Sequence, residues 1–451
     1  PTPVFSHLDN TPDFTIAPRG LGSWCWGRLG DLLASRLNVP IMFFNSAFTG
    51  TAVQNWRQSA PEGGVAQSVY DPTLSYLPRQ PYINLKLALQ FYANSLGVRA
   101  VLWHQGEADN LINTSSDSYA SDLQFVIRQS RQDFGRNMSW VVARTSYGDR
   151  APGLTDANII AGQNNVISAG PNVFAGPSTD NIQIPRTRAP LYDPDGFHFD
   201  YDGLVEVASA WNNSLNDTFF QQSTPQSPVA SPTLAVACSG NNLTVSVNGN
   251  YNSFQWESGE TSRSITKGAG LYRAKVKDAT GNTSFTSYIR VSDSPVASVV
   301  GGGPASICVG NSLAITANYD AVSWINQQTN AVIANTRQLS VNTPAGYFFR
   351  YNDVSGCTFT SNVLTPAVNP LPATPTVAAD KPTTFCQGDN TVLRASADNV
   401  RYNWSDGQSA KAVAVGSSGN YNLTVTDQNG CTSALSNTVQ VTANPVPAKP
   451  T

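Results

Sequence analysis

The chain is predicted to combine an α/β domain, built on a parallel sheet, with three all-β sandwiches, and two observations predict this. Up to a Ser/Pro-rich stretch at 223–232, helical and strand patterns alternate along the sequence. Beyond it a unit opening on a cysteine recurs at Cys238, Cys308 and Cys386, with no helical pattern in between. Alternation of the first kind implies parallel strands with helices on both faces. Short strands with Gly/Asn turns imply sandwiches.

In the first region, residues 24–37 carry Leu29, Leu32, Leu33 and Leu37 at helical spacing. The run Val39 to Phe44 is short and apolar, as a buried parallel strand would be. Residues 83–96 read as a helix ended by Gly97, 98–103 as a strand, 119–134 as a helix and 139–143 as a strand. Asp156 is placed to cap a helix through Ser168, followed by a strand at 172–175 and a last helix at about 202–216. In such sheets, loops beyond the carboxyl ends of the strands gather the function. The boundaries expected are an α/β domain over 1–222, a linker at 223–232, sandwiches at 233–293, 294–369 and 370–445, and a further linker starting at 446–451. Nothing in the 223–232 linker is expected to pack.

Charged residues are only 13% of the chain, the net charge is −3, and no basic cluster exists, which argues against a nucleic-acid partner. No apolar run reaches about 18 residues, so no membrane span is expected. Pro1-Thr2-Pro3 opens without a basic stretch or an apolar core, so no signal peptide is read in this chain. The uncharged polar composition suits a secreted or cell-surface protein. No C-x-x-C spacing occurs among the six cysteines, which removes zinc and thioredoxin readings. No metal and no organic cofactor is expected.

The repeats align closely. Each opening cysteine is followed 16–18 residues later by a tryptophan (Trp256, Trp324, Trp404), then by Tyr272, Tyr347 and Tyr421. Asp353-Val-Ser-Gly-Cys357 and Asp427-Gln-Asn-Gly-Cys431 finish the second and third units, and Asn282 stands at that place in the first. The Cys…Trp…Cys order resembles the immunoglobulin arrangement. That resemblance implies disulfides Cys308–Cys357 and Cys386–Cys431, leaving Cys238 a buried free thiol. Cys25, between Trp24 and Trp26, reads as an apolar filler. The final Asn444-Pro-Val-Pro-Ala-Lys-Pro-Thr451 echoes Asn369-Pro-Leu-Pro-Ala-Thr-Pro-Thr376, the linker into the third sandwich. A further unit is expected beyond it.

Three segments carry chemistry: Ser46 to Trp56, Trp103-His104-Gln105-Gly106-Glu107-Ala108-Asp109, and Asp193-Pro-Asp195-Gly-Phe-His198. Together they resemble the SGNH/GDSL hydrolase superfamily and, within it, the sialate O-acetylesterase-like carbohydrate esterases. Trp-His-Gln-Gly-Glu-x-Asp is the most specific part; Asp195-x-x-His198 and Thr49-Gly50-Thr51 fit two further blocks. The resemblance covers roughly 1–217 and implies a flavodoxin-like parallel sheet. It also implies His198 as catalytic base, Asp195 as its orienting carboxylate, and Gly50 and Gln105 as oxyanion donors. Imidazole suits the base because it gains and loses a proton near neutral pH. Glu107 and His104 are expected beside the site rather than in the chemistry, and Asp109 as an ordinary loop cap. Trp56 and Trp103 read as core.

The family's serine sits in a Gly-x-Ser-type block after the first strand, and no such block is found. Ser23 follows no strand, Ser46 stands where the oxyanion glycine block belongs, and Ser178 resembles a loop without that duty. Four strands are counted against the family's five, so the first strand and the nucleophile are expected upstream of Pro1. The reading is a secreted or surface esterase that removes O-acetyl groups from a glycan, possessing sandwiches that space it or bind sugar. Such repeats resemble bacterial surface proteins exported by the type IX route, although no sorting domain is recognisable. The alternative is a non-catalytic glycan-binding adhesin or structural surface protein; a lipid esterase fits the glutamine block less well.

Overall fold

The computed structural model describes residues 24–148, 155–184, 186, 198–199 and 201–447. Contacts divide the chain into two compact units, the first holding 1–235 with 246–264 and 272–289, the second holding 236–245, 265–271 and 290–451. Among the described residues no helix is long and apolar enough to cross a membrane.

The first unit is built on three parallel strands in the order β1 (Ala100–Trp103), β2 (Ser139–Arg144), β3 (Val173–Ser178). Successive side chains of a strand face opposite ways, and β2 divides its residues accordingly. Trp140 and Val142 enter one apolar core, Val141 and Ala143 the other. The first core is closed by α2 (Val53–Ser59), α3 (Tyr82–Leu87), α5 (Ser116–Phe134) and α6 (Ala157–Ala169). The second is closed by α1 (Trp26–Leu37), α7 (Tyr201–Ser214) and α8 (Asp217–Gln222). The short α4 (Glu107–Leu111) follows β1.

Local signals set most boundaries. Ser115 accepts from Ser118 N and Asp156 from Asn158 N, capping α5 and α6. Gly135 ends α5 in the left-handed region. The helix expected at 83–96 is α3 continued by a π-helical turn, Ala88–Ala93, and a last piece, Asn94–Leu96.

Two expectations fail here. Val39 to Phe44 forms no strand, and Val39 and Met42 stand 49% and 54% exposed. An extended segment joins a sheet only through a neighbour's N–H and C=O groups. Among the described strands β1 hydrogen-bonds only β2, and residues 40–44 line the same cavity as β1 without pairing to it. The 223–232 stretch, expected to be unpacked, is held: Val98 and Gln226 exchange backbone hydrogen bonds, and Val229 N donates to Asn94 O. Proline removes some donors from this stretch, but the remaining N–H groups still found acceptors beside β1.

In the second unit each of the last two repeats is a sandwich. In one, Ala297–Val299, Leu313–Ala317 and Gln338–Val341 form a sheet. It packs on the sheet of Ala331–Ala334, Val322–Asn326, Tyr347–Asn352 and Thr358–Thr360. Trp324 is fully buried between them and donates to Thr336 O. Trp404 occupies the same place in the third repeat and donates to Ala410 O. In the first repeat, Trp256 is also buried and donates to Ser262 O.

The cysteines pair otherwise than the immunoglobulin likeness implies. The bonds are Cys238–Cys357 and Cys308–Cys431, spanning 119 and 123 residues. Cys386 is free and exposed, and Cys25 is free and buried. So Cys308 does not reach Cys357, nor Cys386 Cys431. The physical reason is placement. Cys308 and Cys386 end strands outside the cores of their repeats, whereas Cys357 and Cys431 are buried at hairpin bases, 2% and 0% exposed. A bridge across a sandwich core needs both cysteines inside it. Each bond instead links the opening strand of one repeat to the closing hairpin of the next. Closing a loop of this length is worth about 5 kcal/mol in chain entropy. The Cys357→Ser variant is therefore expected to lose about 2–5 kcal/mol in urea unfolding of the repeats, while peptide mapping still finds Cys308–Cys431.

Candidate active site

The loops after the carboxyl ends of β1 and before α2 and α7 meet at a cavity of about 840 Å³. Gly50, His104, Gln105, Glu107 and His198 all line it. The chain reaches Gly50 through a turn in which Gly50 has φ +70°, a conformation that excludes most side chains. Its carbonyl accepts from the Tyr76 hydroxyl at 2.8 Å. Its N–H has no acceptor among the described residues.

Gln105 follows β1 and is fixed on every side. Its amide nitrogen donates to Thr51 O at 3.0 Å and to Asp109 Oδ2 at 2.6 Å. The Tyr119 hydroxyl donates to Gln105 O at 2.7 Å, and Gln163 Nε2 approaches the same oxygen at 3.2 Å. Both hydrogens of the amide are thus engaged within the protein. In this structure the side chain ties the Gly50–Thr51 turn to α4. Gly106 must lack a side chain, because a Cβ would stand 2.0 Å from Thr145 O.

Asp109, expected to be an ordinary cap, is fully buried. Its Oδ2 also accepts from Val53 N at 2.9 Å, the first residue of α2. It therefore caps a helix 56 residues away in sequence and orients Gln105 with the same oxygen. Burial pushes its carboxyl up to about 6, against the hydrogen bonds from Gln105 and Val53 N.

His104 is buried edge-on against Trp24, with ring centroids 4.8 Å apart, and neither ring nitrogen makes a hydrogen bond. Burial holds its pKa below the ordinary value; Glu107 opposes this from 3.7 Å, and Arg186 reinforces it. Its imidazole is therefore neutral at pH 7. Glu107 braces the loop, accepting from Gly106 N at 2.9 Å and from the Thr145 hydroxyl at 3.2 Å.

His198 is exposed at the cavity, ahead of α7. Asp195 lies outside the described residues, as does Ser23. Ser178 ends β3, exposed, and does not line the cavity. Ser46 does line it. Two further residues escaped the sequence reading. Arg186 is buried with its guanidinium 4.0 Å from the rings of both Tyr147 and Phe199, so it clamps the neighbour of His198. Asp180, two residues past β3, accepts from Ser146 N, the Ser146 hydroxyl and Tyr147 N, holding the loop under that clamp. No motif marks either residue; for Asp109 the four-residue step from Gln105 was the available signal.

Residues 30–212 match the family model described as carbohydrate esterase, sialic acid-specific acetylesterase. This segment is thus a carbohydrate esterase domain with helices and a parallel sheet, followed by a large all-β region. No curated protein matches the chain. Among solved structures, the chain is similar to fibronectin(III)-like modules of Clostridium thermocellum CbhA, at 14% identity and a TM-score of 0.23. That match covers 33% of this chain and 95% of the other. Extracellular domains 3–5 of Drosophila OTK match at 11% identity and a TM-score of 0.22, covering 49% of this chain and 95% of that one.

The Asp109 carboxyl sets a pH dependence with a definite sign. Its native pKa of about 6 lies above the ordinary 3.8, so between these values the folded state binds the proton more tightly. Stability conferred by this proton is complete below about pH 4, falls as pH rises toward 6, and is flat above. Relative to an Asp109→Asn variant, the wild type should lose on the order of 3 kcal/mol between pH 4 and pH 7. Urea unfolding at several pH values checks it; parallel curves would refute it.

Proposed function

We propose that this domain removes O-acetyl groups from a glycan, using His198 as base, Asp195 as its orienting carboxylate and Gly50 N–H as oxyanion donor. The observation that carries the reading is the shared cavity of Gly50, Gln105 and His198 in a segment matching an acetylesterase family. The base takes a serine proton as the oxygen attacks the acetyl carbonyl. The Gly50 N–H donates to the developing oxyanion, and protonated His198 then gives its proton to the departing sugar oxygen, which leaves as a hydroxyl. Water hydrolyses the acetyl-serine by the reverse roles. Gln105 acts as a positioning residue, since it fixes the turn that presents Gly50.

The nucleophile in this reading is a serine from outside residues 1–451, at the end of a parallel strand that adds to the edge of β1 that no described strand occupies. Apolar side chains of both cores support it: Leu85 and Leu89 on one side, Leu33 and Phe219 on the other, line the cavity beside that edge. A strand seated there, about 4.8 Å from β1, would bury both its faces. Its carboxyl end would emerge beside His104 and Gln105, where β1 itself ends.

Two intramolecular disulfides suit an oxidising, extracellular setting, and the all-β repeats suit a spacer or glycan-binding role on a bacterial surface. A fluorophosphonate probe separates the alternatives. Natural full-length protein should label and release acetate from acetylated xylan or sialic acid, and His198→Ala should cut that release about 10²- to 10⁴-fold. Ser46→Ala should leave it unchanged, and residues 1–451 alone should not label. Labelling of 1–451 that Ser46→Ala abolishes would move the nucleophile to Ser46. A folded full-length protein that neither labels nor releases acetate would favour the glycan-binding surface protein.

A further inference from the structure

The closing hairpins of the three repeats are the same structure. In Asp278-Ala-Thr-Gly281-Asn282, Asp353-Val-Ser-Gly356-Cys357 and Asp427-Gln-Asn-Gly430-Cys431, the aspartate N–H donates to the carbonyl of the fifth residue. The distances are 3.1, 2.9 and 3.0 Å. Its carboxylate takes the N–H of the third and fifth residues in all three. The glycines sit at φ +91°, +83° and +79°. Each turn presents its fifth residue to the module before it. Asn282 donates to Phe134 O of the α/β domain at 3.0 Å. Cys357 is bonded to Cys238 of the first repeat, and Cys431 to Cys308 of the second.

The opening strands also match. Cys308 is paired in parallel with Asn369, and Cys386 with Asn444. Val309 N donates to Asn369 O at 3.0 Å, as Gln387 N does to Asn444 O at 2.7 Å. In both repeats the opening cysteine therefore stands beside the residue where the chain enters an Asn-Pro-x-Pro-Ala linker. Cys308, so placed, is bonded to the hairpin of the repeat beyond the linker. Cys238, which opens the first repeat, is bonded to the hairpin of the second. Cys386 alone of the three opening cysteines is free, and it is exposed.

We infer that Cys386 is the donor of a third bond in this series, made to the cysteine of an Asp-x-x-Gly-Cys hairpin in a further repeat reached through the linker that starts at Asn444. Both hairpin cysteines within 1–451 are already bonded, so a second copy of this chain offers no equivalent partner. The step joins two thiols into one disulfide. Two protons and two electrons leave, and the disulfide of a thiol oxidase accepts them and is reduced to two thiols.

The test is non-reducing peptide mapping of the natural full-length protein after alkylation. A Cys386 peptide cross-linked to a peptide containing Asp-x-x-Gly-Cys is expected. Cys386 recovered alkylated, capped by a small thiol, or bonded to Cys25 or to another Cys386 overturns the inference. Two controls keep the result independent of folding failure. In residues 1–451, native maleimide should modify Cys386 at one equivalent and reach Cys25 only after denaturation; an unreactive Cys386 also overturns it. In full-length C386S, the two existing bonds should persist and one new alkylatable thiol should appear, in the Asp-x-x-Gly-Cys hairpin. Its appearance elsewhere, or not at all, counts against the third bond.

Discussion

One oxygen of a buried carboxylate holds the candidate site together. Asp109 Oδ2 takes the first N–H of α2 and the amide of Gln105, and Gln105 in turn holds Thr51 O. The turn that exposes the Gly50 N–H is thereby fixed to the end of β1. Were the carboxylate absent, the Val53 N–H and one hydrogen of the Gln105 amide would lose their acceptor, a cost of about 1–3 kcal/mol for each. Arg186 plays a corresponding part next to His198, where its guanidinium lies over the rings of Tyr147 and Phe199. Two buried polar residues outside the expected catalytic set therefore fix the geometry of the residues expected to react.

Periodicity made most of the α/β region legible. Leu29 and Leu33 on α1, and the apolar runs of β1, β2 and β3, each announce a side buried against the sheet. The run Val39 to Phe44 carried the same signal and failed, because apolar character specifies burial but not a hydrogen-bonding neighbour. Site residues were legible where a motif concentrated them, as with His104, Gln105 and Glu107. Asp109 was in that motif, yet its partner Val53 is remote in sequence, so its role read as local capping. Arg186 and Asp180 act through ring stacking and loop amides, which leave no spacing to read.

The cysteines show the same limit differently. The spacing of Cys308, Trp324 and Cys357 fits a bond within one sandwich, and the likeness to immunoglobulin domains reinforced it. What spacing omits is facing: Cys308 ends a strand at the outside of its repeat, while Cys357 lies at the base of a buried turn. The unit of design is therefore not the repeat but the joint between repeats. Asn282 fits this logic, since the module before the first repeat is an α/β domain whose Phe134 carbonyl takes an amide donor.

The interleaving of the two bridges has a mechanical consequence. Pulled by its ends, the chain from Cys238 to Cys431 would pay out 193 residues if unbridged. The shortest covalent route now crosses to Cys357, runs back over 49 residues to Cys308, and crosses again to Cys431. At about 3.5 Å per residue, the reach under tension drops from roughly 680 Å to roughly 170 Å. The array behaves as a tether with a hard stop, one that shear cannot unravel even after every sandwich in it has melted.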